Sequence, residues 1–314
     1  MSATAAWAMR VDAYLAYRRS SGFELTSEGK QLESFARFAD GRGAERITLE
    51  LASDWARASR YPRAISWARR IETLRGFATY CLRTDPNTVV PERNIFGPGH
   101  RRLVPHIYTD AELENLLKAT DRLGPPGSLR PMTCQTVFGL LASTGLRISE
   151  ALNLTLGDVN LQDEVLAIRD SKFHQHRIVP LHGSVTPHLL AYAQLRDRLV
   201  PNPHCNRFFL RTDGRAISRR SMLYALHSLC AQLGWAVRGD HTHHRLHDLR
   251  HTFIVRSFLG QYEQDRDVER GLSALSIYVG HAKMVDTYWY LTGVPELMAV
   301  AADRFHQYAL GAPT

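Results

Sequence analysis

Thr144-Gly145-Leu146-Arg147-Ile148-Ser149-Glu150-Ala151 is a glycine turn that delivers an arginine to the beginning of a helix, with a carboxylate three residues later. An arginine so placed can be held in orientation by Glu150 while its free N–H groups face an anion. Alone the stretch says little, because Arg/Glu pairs at this spacing usually decorate a helix surface. Its meaning comes from what surrounds it. Helical periodicity runs through 137–143 on one side and 148–154 on the other. Two β-rich runs follow, 165–169 and 177–181, joined by a polar connection, 170–176, that holds Lys172. Helices are then expected at 186–199, 218–233, 248–259, 268–279, 284–291 and 295–308.

Within this second half, His247-Asp248-Leu249-Arg250-His251-Thr252-Phe253 again places a histidine and an arginine one turn apart, on one face of a helix. Gly280-His281 precedes Thr287-Tyr288-Trp289-Tyr290. In chain order the groups able to carry chemistry are Arg147, Lys172, His247, Arg250, His281 and Tyr290.

Working outward to the N-terminus, residues 6–83 read as helices, with apolar stripes Val11, Tyr14, Leu15, Tyr17 and Leu32, Phe35, Ala36, Phe38. A third segment spans 49–59. A fourth, 62–82, starts at Pro62 and carries Ile65, Ala68, Ile71, Leu74 and Phe77 on one stripe. Arginines sit on the polar faces of this bundle. For any single one the plain reading is a solvated face; as a set, Arg69, Arg70 and Arg75, with Arg101 and Arg102 beyond them, are expected to face DNA. Residues 85–106, with four prolines, two glycines and His100-Arg101-Arg102, break periodicity and are expected to be a linker. Thr109, with Glu112 three residues on, is a capping box that opens the next domain. The expectation is therefore a helical domain over 1–84, a linker over 85–106 and a mostly helical domain with a small antiparallel sheet over 107–314.

At 314 residues the chain is long enough for two cores. It has 44% hydrophobic and 22% charged residues, an ordinary globular balance. No apolar run approaches the roughly 18 residues of a membrane-spanning helix, and the opening residues lack the pattern of a signal peptide. A cytoplasmic, nucleoid-associated protein with no membrane partner is expected. Cys81, Cys134, Cys205 and Cys230 are scattered, with no C-x-x-C pair. A net charge of +8 points to a polyanionic partner, which leaves DNA-binding, RNA-binding and ribosomal readings open. The charge is almost wholly arginine: lysine occurs only at Lys30, Lys118, Lys172 and Lys283.

The array of six resembles the phage-integrase or tyrosine recombinase family. That family's signature is an arginine in a T-G-x-R-x-x-E setting, a lysine in a β-hairpin, H-x-x-R, then G-H with a tyrosine nine residues after that histidine; here 281 + 9 = 290. The match covers the second domain, and the N-terminal bundle resembles the family's core-binding domain. The resemblance implies two domains forming a clamp around DNA and strand exchange through a 3′-phosphotyrosyl intermediate and a Holliday junction, without metal, cofactor or ATP. It also implies double-stranded DNA with inverted-repeat core sites as partner, a homodimer on each site, a homotetramer in synapsis, and accessory recombinases or DNA-bending proteins. The helix at 295–308 would pack on its own domain or on a neighbour.

The residues suit that chemistry. Metal-free phosphodiester cleavage needs a nucleophile, cations for charge developing on the phosphorane, and an acid for the departing 5′-oxygen. Tyr290 would attack; Arg147 and Arg250 are planar forks that can each grip two phosphate oxygens. By resemblance Lys172 is the general acid, His247 assists proton transfer, His281 hydrogen-bonds a non-bridging oxygen, and Glu150 orients Arg147. Tyr288 is a rival nucleophile, but it lies on another helical face and breaks the spacing. His251, four residues from His247 and near His241, His243 and His244, has a zinc-like spacing, but no cysteine or carboxylate set completes a site; these histidines are expected to line DNA or cap the helix. One departure from the family is a longer chain between Arg250 and His281, in which 260–270 is expected to be an inserted loop. Two other classes remain: a type IB topoisomerase, separable by a requirement for paired sites, and a non-catalytic DNA-binding factor, against which the intact set of six argues.

Overall fold

The computed structural model describes residues 6–169, 176–263, 268–281, 283, 285–293, 297–299, 302 and 306. The chain divides into two compact units, residues 1–102 and 103–314.

The first unit packs four helices, α1 (Ala6–Ser20), α2 (Thr26–Gly41), α3 (Leu49–Arg57) and α4 (Ala64–Cys81). Thr48 caps α3 by accepting the Leu51 N–H. α4 starts two residues after Pro62, so the proline ends the preceding turn and does not sit inside the helix. Trp7, Phe35, Trp55 and Phe77 meet edge to face at the centre, Phe35 and Trp55 with ring centroids 5.3 Å apart. Most of the segment expected to be a linker belongs to this unit. Val90, Ile95 and Phe96 pack on its core, and the Val89 N–H donates to the Ile47 carbonyl. Prolines and glycines forbid a helix there, but they do not forbid burial.

The second unit is built on α6 (Leu129–Thr144), buried along most of its length against α5 (Asp110–Ala119), α8 (Thr186–Leu199) and α10 (Leu246–Glu263). α7 (Ile148–Asn153), α9 (Arg219–Gln232), α11 (Val268–Val279) and α12 (Val285–Gly293) complete the helices with described bounds. Thr109 and Glu112 form the capping box their spacing predicts. The sheet runs β1 (Val159–Asn160), β2 (Val165–Ile168), β3 (Arg177–Pro180), all antiparallel, with Leu166 opposite Val179. In β3, Val179 is buried and Ile178 is exposed, the alternation of a one-sided sheet. A second cluster of Ile254, Val255, Phe258, Leu272, Leu275 and Val279 fastens α11 to α10. This corrects the expected loop over 260–270: α10 runs to Glu263 and α11 begins at Val268. Residues 264–267 lie outside the described residues; the rest of the segment is helical. Among the described residues no helix is long and apolar enough to cross a membrane.

Candidate functional site

Two left-handed glycines set the site. Gly145 ends α6 at φ 62°, and a Cβ there would strike the Phe253 ring. Gly280 ends α11 at φ 69°, where a Cβ would strike the Arg177 guanidinium. Each turn offers its carbonyl to an arginine from elsewhere. Arg250 Nη1 donates to the Gly145 carbonyl at 2.5 Å and Nη2 to the Val279 carbonyl at 2.7 Å. Arg147 Nη2 donates to the Gly280 carbonyl at 2.5 Å. The two arginines thus pin α6, α10 and α11 together and lie beside one another.

Arg147 directly precedes α7. Glu150, on the first turn, accepts both the Arg147 backbone N–H at 2.9 Å and Nη1 at 2.7 Å. Arg177 of β3, a residue the sequence reading passed over, also meets Glu150, at 3.1 and 2.8 Å, and donates Nε to the Tyr278 carbonyl. Burial alone would raise the Glu150 pKa. The Arg177 hydrogen bonds, the Arg147 backbone N–H and both guanidinium charges outweigh it and hold the carboxyl at about 2. Two guanidinium groups, Arg147 and Arg177, therefore share one carboxylate, and the charge of a third, Arg250, is felt by Arg147 and Glu150 beside it. Arg250 is 1% exposed, and burial first, then Arg147, bring its pKa down to about 10, so it stays charged at neutral pH. Its Nε is buried without a hydrogen-bond partner among the described residues.

α10 starts with Arg245 and Asp248 closing on each other: Asp248 accepts the Arg245 backbone N–H at 2.8 Å and Nη2 at 2.7 Å. This fixes the turn that carries His247 and Arg250. His247 is exposed at the surface of the site, yet the protein packed around its ring, followed by the charges of Arg250, Arg245 and Arg147, keeps its pKa below the ordinary imidazole value. One turn on, the His251 and His247 rings meet edge to face at 4.6 Å.

Tyr290, on α12, is 2% exposed, its hydroxyl 2.5 Å from His251 Nδ1. His281 Nδ1 is 2.7 Å from the Thr287 hydroxyl, and its ring lies parallel to that of Tyr290 at 6.4 Å. Tyr288 is 47% exposed.

Five of the six expected catalytic residues thus lie on the elements joined here: Arg147, His247, Arg250, His281 and Tyr290. The sixth, Lys172, lies outside the described residues, as does most of the helix expected over 295–308. His251 turns to Tyr290, and among the described residues no three metal-ligating side chains come together. In the first unit, Arg69 Nε donates to the Gly99 carbonyl at 2.8 Å, Arg75 donates to the Pro91 carbonyl, and Arg70 stacks on Trp55 at 4.1 Å. These three arginines thus have intramolecular work, while Arg101 and Arg102 are exposed.

The model of the phage integrase family matches residues 107–266. A putative integrase/recombinase, y4rB of Sinorhizobium fredii, is 34% identical over 301 residues, covering 95% of this chain and 96% of its own. Tyrosine recombinase XerD of Xanthomonas axonopodis is 32% identical over 282 residues, 85% of each chain. Among solved structures, XerH recombinase bound to a palindromic difH substrate, a post-cleavage complex, aligns with a TM-score of 0.66 at 17% identity, over 90% of this chain and 80% of that one.

Proposed function

We propose, from the premise that this chain belongs to the phage integrase family, how its own residues perform that family's reaction. The protein is a site-specific tyrosine recombinase: it cleaves and rejoins DNA strands through a tyrosine–phosphate link. The observation that carries the residue assignment is that Arg147 and Arg177 share the Glu150 carboxylate while the buried Arg250 lies within electrostatic reach of Arg147, Glu150 and the hydroxyl-bearing Tyr290.

Tyr290 is the nucleophile and leaves a 3′-phosphotyrosyl bond that stores the energy needed for rejoining. Arg147 and Arg250 bind the non-bridging oxygens of the scissile phosphate and stabilise the phosphorane. The buried Arg250 Nε, unpartnered among the described residues, costs about 1–3 kcal/mol in the free protein, and a phosphate oxygen or ordered water would remove that cost. Glu150 fixes Arg147, and Arg177 fixes Glu150. His281 donates to a phosphate oxygen, His247 assists proton transfer, and Lys172 protonates the leaving 5′-oxygen. The first unit, residues 1–102, binds the core-site DNA, with Arg101 and Arg102 among its phosphate contacts. Two protomers occupy an inverted-repeat core site and four assemble the synapse, where a Holliday junction forms; accessory recombinases or DNA-bending proteins join it.

The test starts from a pool of nicked duplexes carrying randomised inverted repeats, from which wild-type protein captures a site covalently. A plasmid bearing two copies of that site is expected to yield recombinants and four-way junctions with wild type and none with Tyr290→Phe. Relaxation of a single-site plasmid without exchange would overturn the recombinase reading in favour of a topoisomerase.

A further inference from the structure

We propose that His251 takes the proton from Tyr290 during strand cleavage and returns it when the strand is rejoined. The inference rests on Tyr290 being the nucleophile. Its ground is geometric: His251 Nδ1 and the Tyr290 hydroxyl, 39 residues apart in the chain, are 2.5 Å apart in the fold. The two rings are tilted by 51° with centroids at 5.5 Å, so the imidazole edge meets the hydroxyl.

A tyrosine hydroxyl ionises near pH 10, so at neutral pH its attack needs a base within hydrogen-bonding reach. Arg147, Arg177 and Arg250 are cations, and His281 directs Nδ1 to Thr287. His251 sits within reach, and its surroundings keep it neutral. Burial comes first, then the charges facing it: His247, Arg245 and Arg250 on α10 and its start, and His241 from the preceding loop, all of which push its pKa well below that of free imidazole. The ring is thus held neutral before DNA binds, and its Nε2–H tautomer leaves Nδ1 free to accept the Tyr290 proton. The scissile phosphate then brings a negative charge to Arg250 and Arg147 and offsets the repulsion that opposes an imidazolium.

The step balances. The Tyr290 oxygen forms a bond to phosphorus as its proton passes to His251 Nδ1; the bond from phosphorus to the 5′-oxygen breaks, and that oxygen receives a proton from the general acid. In rejoining, a 5′-hydroxyl attacks phosphorus as its proton passes back to the general acid that had supplied it, the tyrosyl–phosphate bond breaks, and His251 gives its proton back to Tyr290.

Single-turnover cleavage of the captured duplex across a pH series tests this, with wild type, His251→Gln and the smaller His251→Asn, each first checked for unchanged DNA binding and melting temperature. The expected result is a loss of about 100-fold at neutral pH that shrinks steadily as pH rises toward the tyrosine pKa. A substrate with a 5′-bridging sulfur, whose leaving group needs no proton, is expected not to rescue the variants. Variants that cleave within a few-fold of wild type with the same pH profile, or that the sulfur substrate rescues, would overturn the role of His251 while leaving the recombinase reading intact. Absence of a wild-type linkage to Tyr290 would overturn the reading beneath it.

Discussion

Arginines dominate the charge of both units, yet they do different work in each. In the first unit Arg69, Arg70 and Arg75 are spread along α4, and each finds a separate partner: the Gly99 carbonyl, the Trp55 ring and the Pro91 carbonyl. In the second, Arg147, Arg177 and Arg250 are hydrogen-bonded as well, but they lie within one another's electrostatic reach, and two of them share one carboxylate. An arginine satisfied by carbonyls is a brace. Two guanidinium groups on one buried carboxylate, with a third close by, are a brace with charge left over, and a surplus of that kind in a partly buried place is stabilised by a bound anion. Hydrogen-bond count does not separate the two regions; charge balance does.

The comparison breaks most visibly at Arg250. Arg250→Lys keeps a charge but cannot span the Gly145 and Val279 carbonyls and also hold a phosphate; cleavage is expected to fall by about 1000-fold in single-turnover assays. A loss under ten-fold would mean that the planar fork of Arg250, beyond its charge, is not what stabilises the phosphorane.

Glu150 comes next. Its carboxyl is 4% exposed and its folded pKa of about 2 lies below the unfolded value. Its contribution, on the order of 3 kcal/mol, is therefore complete above about pH 5 and lost as pH falls through the folded value. Urea unfolding of wild type and Glu150→Gln should show a stability gap that is widest at neutral pH and closes on acidification. A gap that does not change with pH would contradict the shared-carboxylate account.

How far this site could be read from the sequence follows from the kind of signal each residue carries. Arg147 with Glu150 and His247 with Arg250 are local pairs at helical spacing, so they were legible, whereas His281 with Tyr290, nine residues apart, was legible only through the family resemblance. Arg177 was not, although β3 alternates: Arg177 shares the inward face with the buried Val179, while Ile178 points out. A charge on an inward strand face needs a buried counter-charge, and that was the available clue. The partner of His251 lies on another helix, and no periodicity within α10 reveals it. The segment over 85–99 was misleading because proline and glycine report backbone conformation, whereas its packing depends on Val90, Ile95 and Phe96. The extension of α10 to Glu263 was hidden by polar composition.

Smaller effects sharpen the first half of the comparison. Arg70→Ala should cost about 1–2 kcal/mol by removing a cation from the Trp55 face, lowering the melting temperature by a few degrees with cleavage at saturating protein unchanged. Arg101→Ala is expected to leave the melting temperature alone and to weaken DNA binding slightly, reducing the slope of log K against log salt by about 0.9. Reversal of these two signatures would exchange brace and DNA contact.

The most direct measurement is mass spectrometry of the protease-trimmed covalent adduct formed by wild type, Tyr288→Phe and Tyr290→Phe on the captured nicked duplex. The account predicts a nucleotide phosphate on Tyr290 in the first two and no adduct in the third. A phosphate on Tyr288, or an adduct surviving in Tyr290→Phe, would contradict it.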